Sequence, residues 1–241
     1  MIKFFTSLRC FFSGIFCYVK VDLNSKFNRR RILIGLKGFK GIKNYPIVIK
    51  KSILAGNFIV KEGCYILNSF FYSSSYGDFS IDRFTTIYNA EINTFNNYIE
   101  IGAFCSIASG VKMYSYGHNK CRITTYNIQK NILKSKCENE IIETSIKIEE
   151  DVWIGANSII LGNVHIGRGA IIAAGSVVTK SIPPYSIVAG CPAIVINMRF
   201  DDEIVKKIEE SKWWTWDVDE IKRNEKLFKE NISIDSFKLI K

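Results

Sequence analysis

No stretch of this 241-residue chain approaches the roughly 18–20 consecutive apolar residues that a membrane-spanning helix requires. Its N-terminus does not read as a secretory leader either, because Arg9 interrupts the apolar region and no small-residue cleavage site follows. Histidine is scarce: there are two in the chain, so each can be weighed singly. The seven cysteines (Cys10, Cys17, Cys64, Cys105, Cys121, Cys137, Cys191) are odd in number and lack the close pairing of a zinc site. They are expected to be reduced, mostly buried thiols of a cytoplasmic protein, and no metal is expected. Net charge is +10, yet no nucleic-acid module and no basic–aromatic platform accompanies it, so no nucleic-acid partner is expected. A hydrophobic content of 47% excludes general disorder.

What the chain does have is a period. Ile148, Ile154, Ile160, Ile166, Ile172 and Val178 stand six apart without a break. That spacing fits neither a helix nor a simple strand, and fixed repetition is the mark of stacked-repeat architecture. A six-residue period predicts an all-β fold, a parallel β-helix in which each hexad forms one side of a triangular prism and three hexads make a coil. Phe95, Ile101, Ile107 and Met113 keep the spacing upstream, as do Ile81 with Ile87 and Ile47 with Ile53 and Ile59. Small or branched residues precede many inward positions by two: Val152, Val164, Ala170, Ser176 and Ile182. Gly102, Gly155 and Gly167 each follow an inward aliphatic, where unusual dihedrals are expected.

Three parts follow: a basic, aromatic segment over residues 1–45, coils over 46–197 interrupted by a polar loop over 114–144, and a helical extension over 198–241. In the first part Phe4, Phe5, Leu8, Phe11, Phe12, Ile15 and Phe16 recur at helical spacing among Lys3, Arg9 and Lys20. This suits either an amphipathic helix on the inner face of a membrane, or a helix or strand packed on the first coil. Arg29, Arg30, Arg31, Lys37, Lys40, Lys43, Lys50 and Lys51 concentrate positive charge there and favour anionic partners. In the tail, Asp201 is placed to cap one helix, and Asp217 with Glu220 to form a capping box for a second. Trp213, Trp214 and Trp216 read as packing between helix and prism wall.

His165 adjoins inward Ile166 on a regular coil and is assigned no role. His118 lies in the loop, in the run 114–119, beyond the end of a repeat block. Long loops on rigid scaffolds commonly carry function, and a histidine can take a proton from a hydroxyl within reach. A thiol at Cys121, close by in sequence, is the weaker nucleophile candidate.

Asp151-Val152-Trp153-Ile154-Gly155, the run 173–180 and the run 182–193 resemble the hexapeptide-repeat acyltransferases. Arg199-Phe200 through Trp213-Trp214-Thr215-Trp216 resembles their xenobiotic acetyltransferase branch, which includes many sugar O-acetyltransferases. The likeness spans residues 70–225. It implies a left-handed β-helix, a homotrimer with active sites between neighbouring prisms, and acetyl-coenzyme A as donor. By the resemblance His118 is the general base. Trp153 and Ala156 touch the pantetheine arm, Ala174, Thr179 and Lys180 line the coenzyme channel, and Asn89 lies near the acceptor. Relatives place basic side chains where this chain has Ile194 and Asn197, and Arg199 is the substitute for the phosphate contact. Tyr114 and Tyr116 are candidates for the acceptor, with Tyr126 beside them. Glu138, Glu140, Glu143, Asp78 and Asp82 are all open as the carboxylate that orients His118. The function implied is O-acetylation of a sugar hydroxyl in bacterial surface-polysaccharide biosynthesis. The alternatives are acetylation of an antibiotic, N-acylation of an amino-sugar nucleotide, and a non-catalytic binding scaffold.

Overall fold

A computed structural model describes residues 5–12, 15–22, 26–27, 32–34, 45–55, 57–73, 78–94, 97–134 and 141–239. It is a left-handed parallel β-helix. Three sheets form the faces of the prism, with ten strands on face I, seven on face II and six on face III among the described residues, all parallel except the first and last pairs of face I. The chain winds I to II to III and back. One inward ladder on face I runs Ile49, Ile66, Ile87, Ile107, Ile154, Ile172, Val188 in register, each at most 1% exposed. All six residues of the founding hexad series are buried, as are Val152, Val164, Ala170 and Ser176 two places before four of them, and Ile182 beyond the series.

The period holds less strictly in the early coils. Ile53 and Ile59 are 39% and 43% exposed, while Leu54, Phe58 and Val60 take the inward places. The cause is coil length: eighteen residues separate Ile154 from Ile172, but seventeen separate Ile49 from Ile66, the coil that holds Ile53 and Ile59, and twenty-one separate Ile66 from Ile87. A slip of one residue turns a strand's side chains over, so a count of six loses phase there. Phe58, Phe71 and Phe79 fill the interior of these coils, the Phe58 and Phe79 rings stacked at 4.7 Å. Phe95 lies outside the described residues.

The described residues of the N-terminal segment that carry the apolar pattern are extended, not helical. Phe5–Phe12 and Ile15–Asp22 form an antiparallel hairpin whose second strand pairs in parallel with Ile47–Lys50. Aromatic and β-branched residues favour a pleated surface, and here an open sheet edge is available to pair with. The basic run 28–31 and Lys37, Lys40 and Lys43 lie outside the described residues. No helix of the described residues is long and apolar enough to cross a membrane.

Two of the three corners turn through left-handed backbone. Lys51, Asn68, Asn89, Gly110, Asn157 and Gly175 stack at corner I/II, and Gly63, Phe84, Phe104, Asp151, Gly169 and Tyr185 at corner III/I, all with positive φ. Against corner III/I pack helices α1 (Asp202–Ser211), α2 (Val218–Arg223) and α3 (Glu225–Lys229). Asp201 caps α1 through Ile204 N, and Asp217 and Glu220 form the capping box of α2. The tryptophans are packing. Trp214 and Trp216 are buried, and the Arg83 guanidinium donates to the Trp214 and Trp216 carbonyls at 2.7 and 2.5 Å. Arg168 lies over Trp214 at 3.8 Å and pairs with Glu150 and Glu209.

Cys64 and Cys105 sit in the core and donate to the carbonyls of Asp82 and Glu149. Burial pushes both thiols up from 9.0 to about 12. In the unfolded chain they ionise first, so unfolding releases protons between those two values and stability falls as pH rises through that window. The slope is about 1.4 kcal/mol per pH unit for each thiol. Urea midpoints measured from pH 9 upward are expected to fall steeply in the wild type and less so in Cys64→Ala/Cys105→Ala. Equal slopes would mean the thiols do not ionise on unfolding.

Candidate active site

The loop leaves the prism at corner II/III. The face II strand Lys112–Tyr114 ends, Tyr116–His118 follows, and this pairs antiparallel with Ile141–Glu143. The result is a hairpin projecting from the corner, with His118 opposite Ile141 near its outer end. Its imidazole is exposed beside a small hollow lined by Asn119, Arg122, Thr124 and Tyr126. Among the described residues nothing hydrogen-bonds or ion-pairs with that ring.

The candidate carboxylates separate by geometry. Asp82 pairs with Lys61 at 2.8 Å and belongs to corner III/I, away from the loop. Asp78 opens a face III strand. Glu143 stands opposite Tyr116, two register positions from the partner of His118. Glu138 and Glu140 lie outside the described residues.

The other candidates are spread around the prism. Lys180 and Thr179 are exposed at corner II/III, the same corner as the loop. Trp153 is 53% exposed on face I. Ala156 and Ala174 sit at corner I/II, where Gly175 N donates to Ala156 O. Asn89 lies at that same corner, and its amide is tied into a ladder from Asn68 to Ser109 at 2.9 and 2.8 Å. Arg199 is at corner III/I, pairing with Asp151 at 3.0 Å and donating to Gly169 O. Burial of the Asp151 carboxyl raises its pKa despite that arginine. One prism thus brings Lys180 to the corner that bears His118, but not Trp153, Asn89 or Arg199.

Tyr114, an acceptor candidate from the sequence, belongs to a cluster on the outer surface of face II whose other members, Glu91, Asn93 and Lys112, the sequence reading missed. Glu91 Oε1 accepts from Asn93 Nδ2 at 2.9 Å and from Tyr114 Oη at 3.2 Å, with Lys112 Nζ 4.0 Å from Oε2. Burial, then Glu91, raises the Tyr114 phenol. The Tyr114 ring meets Tyr116 edge-on at 6.2 Å. The signal was available: these residues flank inward Ile92 and Met113, so a period-two reading places them outside.

The family model "Bacterial transferase hexapeptide (six repeats)" matches residues 145–180. A protein of Lysinibacillus sphaericus named probable macrolide acetyltransferase is 43% identical over 132 residues, which is 50% of this chain and 71% of the relative. The chain belongs to the hexapeptide-repeat acetyltransferases. A second member, the chloramphenicol acetyltransferase of Morganella morganii, is 33% identical across 63% of this chain and 75% of its own length. Among solved structures, an N-acyltransferase from Bacillus cereus in complex with dTDP and coenzyme A aligns over 80% of this chain and 88% of its own, at 18% identity and a TM-score of 0.49. As an acetyltransferase of this family the chain is an enzyme, and its inward isoleucines are the family's repeat.

Proposed function

We propose that this acetyltransferase takes its acetyl group from acetyl-coenzyme A and delivers it to a sugar hydroxyl, with His118 as general base. The observation that carries this reading is the exposed imidazole, without a hydrogen-bond or ion-pair partner among the described residues, on a hairpin beside two tyrosines. The acceptor oxygen attacks the thioester carbonyl while His118 accepts its proton. The tetrahedral oxyanion collapses, the carbon–sulfur bond breaks, and the imidazolium returns the proton to the leaving thiolate. The products are an acetyl ester and coenzyme A thiol, with no covalent enzyme intermediate. A positioned backbone N–H suits the oxyanion. For the donor, the exposed Trp153 indole offers a flat wall, Ala156 and Ala174 leave room for a thin pantetheine chain, and the exposed Lys180 ammonium suits a phosphate. Such a donor places the reaction in the cytoplasm.

A second reading keeps the chemistry and changes the acceptor to an antibiotic hydroxyl. The names of the macrolide and chloramphenicol relatives favour it. Thiol release from acetyl-coenzyme A, assayed with sugars, chloramphenicol and a macrolide, separates the two. No release with any of them would defeat both.

We also infer a homotrimer. Trp153, Ala156 and Ala174 on one side of the prism and the loop corner with Lys180 on the other form one site only if a second copy supplies the missing side. Solution mass is expected at three chains. A monomer at assay concentration that still turns over would overturn the shared cleft.

A further inference from the structure

We infer that the outer surface of face II is a rail for an extended glycan, so that the acceptor is an oligosaccharide of two or more sugar units rather than a single small molecule. This rests on the acetyl-transfer reading above and names the class of substrate for that site. Two rows of side chains that face away from the core run in register down the face, with Asn93 the most covered of them at 8% exposed. One row is Phe70, Glu91 and Lys112, and the other is Tyr72, Asn93 and Tyr114. Phe70 and Tyr72 are 38% and 46% exposed and nearly parallel, with an interplanar angle of 5°. They present a flat aromatic wall. The next rung is polar, and Glu91 fixes both Asn93 and Tyr114 by hydrogen bonds. A groove of about 530 Å³ lies along this rung, lined by Phe70, Glu91, Lys112 and the corner residues Asn68 and Asn89.

The arrangement matches the chemistry of a pyranose, which offers a C–H face to an aromatic ring and a rim of hydroxyls to acceptors and donors. A drug-sized acceptor is usually held in a concave, mostly enclosed pocket with most of its surface buried. Here the surface is open and linear. Neighbouring strands lie about 4.8 Å apart, so the three rungs from Tyr72 to Tyr114 span about 10 Å, longer than one sugar ring. The rail points at the chemistry, because Tyr114 touches Tyr116, and Tyr116 shares the short hairpin strand with His118.

The test measures thiol release from acetyl-coenzyme A with chloramphenicol, with monosaccharides and with bacterial capsular and lipopolysaccharide oligosaccharides of increasing length. The wild type is compared with Phe70→Ala, Tyr72→Ala and Glu91→Gln, with Tyr98→Ser on face III as control. The expected result is a kcat/KM that rises with chain length from one to three units. Phe70→Ala and Tyr72→Ala each lower it about tenfold for the longer acceptors and flatten the length dependence, and the control follows the wild type. Rates independent of length, chloramphenicol as the best acceptor, or equal losses on every acceptor would each overturn the rail while leaving acetyl transfer standing. If no acceptor releases thiol, the transfer reading itself fails and the rail falls with it.

Discussion

Replacing His118 with alanine lowers kcat by about 10²–10⁴-fold, the usual contribution of a positioned acid–base group. The KM for acetyl-coenzyme A stays close to the wild-type value, because no donor-binding candidate depends on the imidazole. The loss is catalytic and not structural. The side chain is exposed and has no hydrogen-bond or ion-pair partner among the described residues, so nothing that holds the fold goes with it. Thermal unfolding of the variant is therefore expected to match the wild type within error. The comparison with His165 sharpens the test. His165 lies 2.9 Å from Glu149 on a regular coil at corner III/I's approach, and His165→Ala should retain turnover. Retained turnover in His118→Ala, or loss in both variants, would remove His118 from the role of base.

The sequence carried the prism because its core obeys a strict rule: a buried ladder repeats wherever a coil closes in eighteen residues, as it does from Ile154 to Ile172. Where the coil is one residue shorter, at Ile53 and Ile59, the same count fails, since nothing in a local pattern reveals a residue dropped at a corner. The helix caps at Asp201 and Asp217 were legible for the opposite reason, being satisfied within four residues of sequence. The corners were only half legible. Asn68, Asn89 and Asn157 are residues that tolerate left-handed backbone, but Phe84, Phe104 and Tyr185 are not. They hold that conformation because the stacked turn above and below fixes the backbone: Phe84 N donates to Glu62 O, Phe104 N to Arg83 O and Tyr185 N to Arg168 O. Their rings contribute on the outside as well, with Phe84 stacked on Phe104 and Phe104 against Trp213 of the tail. Of the candidate site, the projecting loop that bears His118 was legible as a break in the repeat. The outward facing of the Glu91 cluster follows from the two-residue alternation, but its contact with Tyr114 does not, because the two are 23 residues apart and meet only when coils stack.

Gly155→Ala should destabilise the fold by about 3 kcal/mol, at the upper end of what overpacking costs. The expectation from sequence was that Gly102, Gly155 and Gly167 serve unusual dihedrals. None of the three has positive φ. What each lacks is room: a Cβ on Gly155 would lie 2.5 Å from Ala174 N and 2.8 Å from Ile172 O, and one on Gly167 2.5 Å from Pro184 N. These neighbours are backbone atoms of the next coil, which cannot swing aside as a side chain can. Moving them means parting two coils along the ladder that Gly155 N makes with Ile172 O. Gly175 offers the converse case. Its φ is +72° and a Cβ there would meet nothing within 4 Å. Substitution there is limited by conformation alone, so Gly175→Ala should cost about 1 kcal/mol and Gly175→Asn less, because asparagine tolerates the left-handed region. The pair of positions thus separates two physical reasons for one residue type. Chemical denaturation of the four variants Gly155→Ala, Gly155→Asn, Gly175→Ala and Gly175→Asn measures it. Asparagine should rescue only at 175. If Gly155→Asn were as stable as the wild type, the coil-contact account would be wrong and the dihedral one restored.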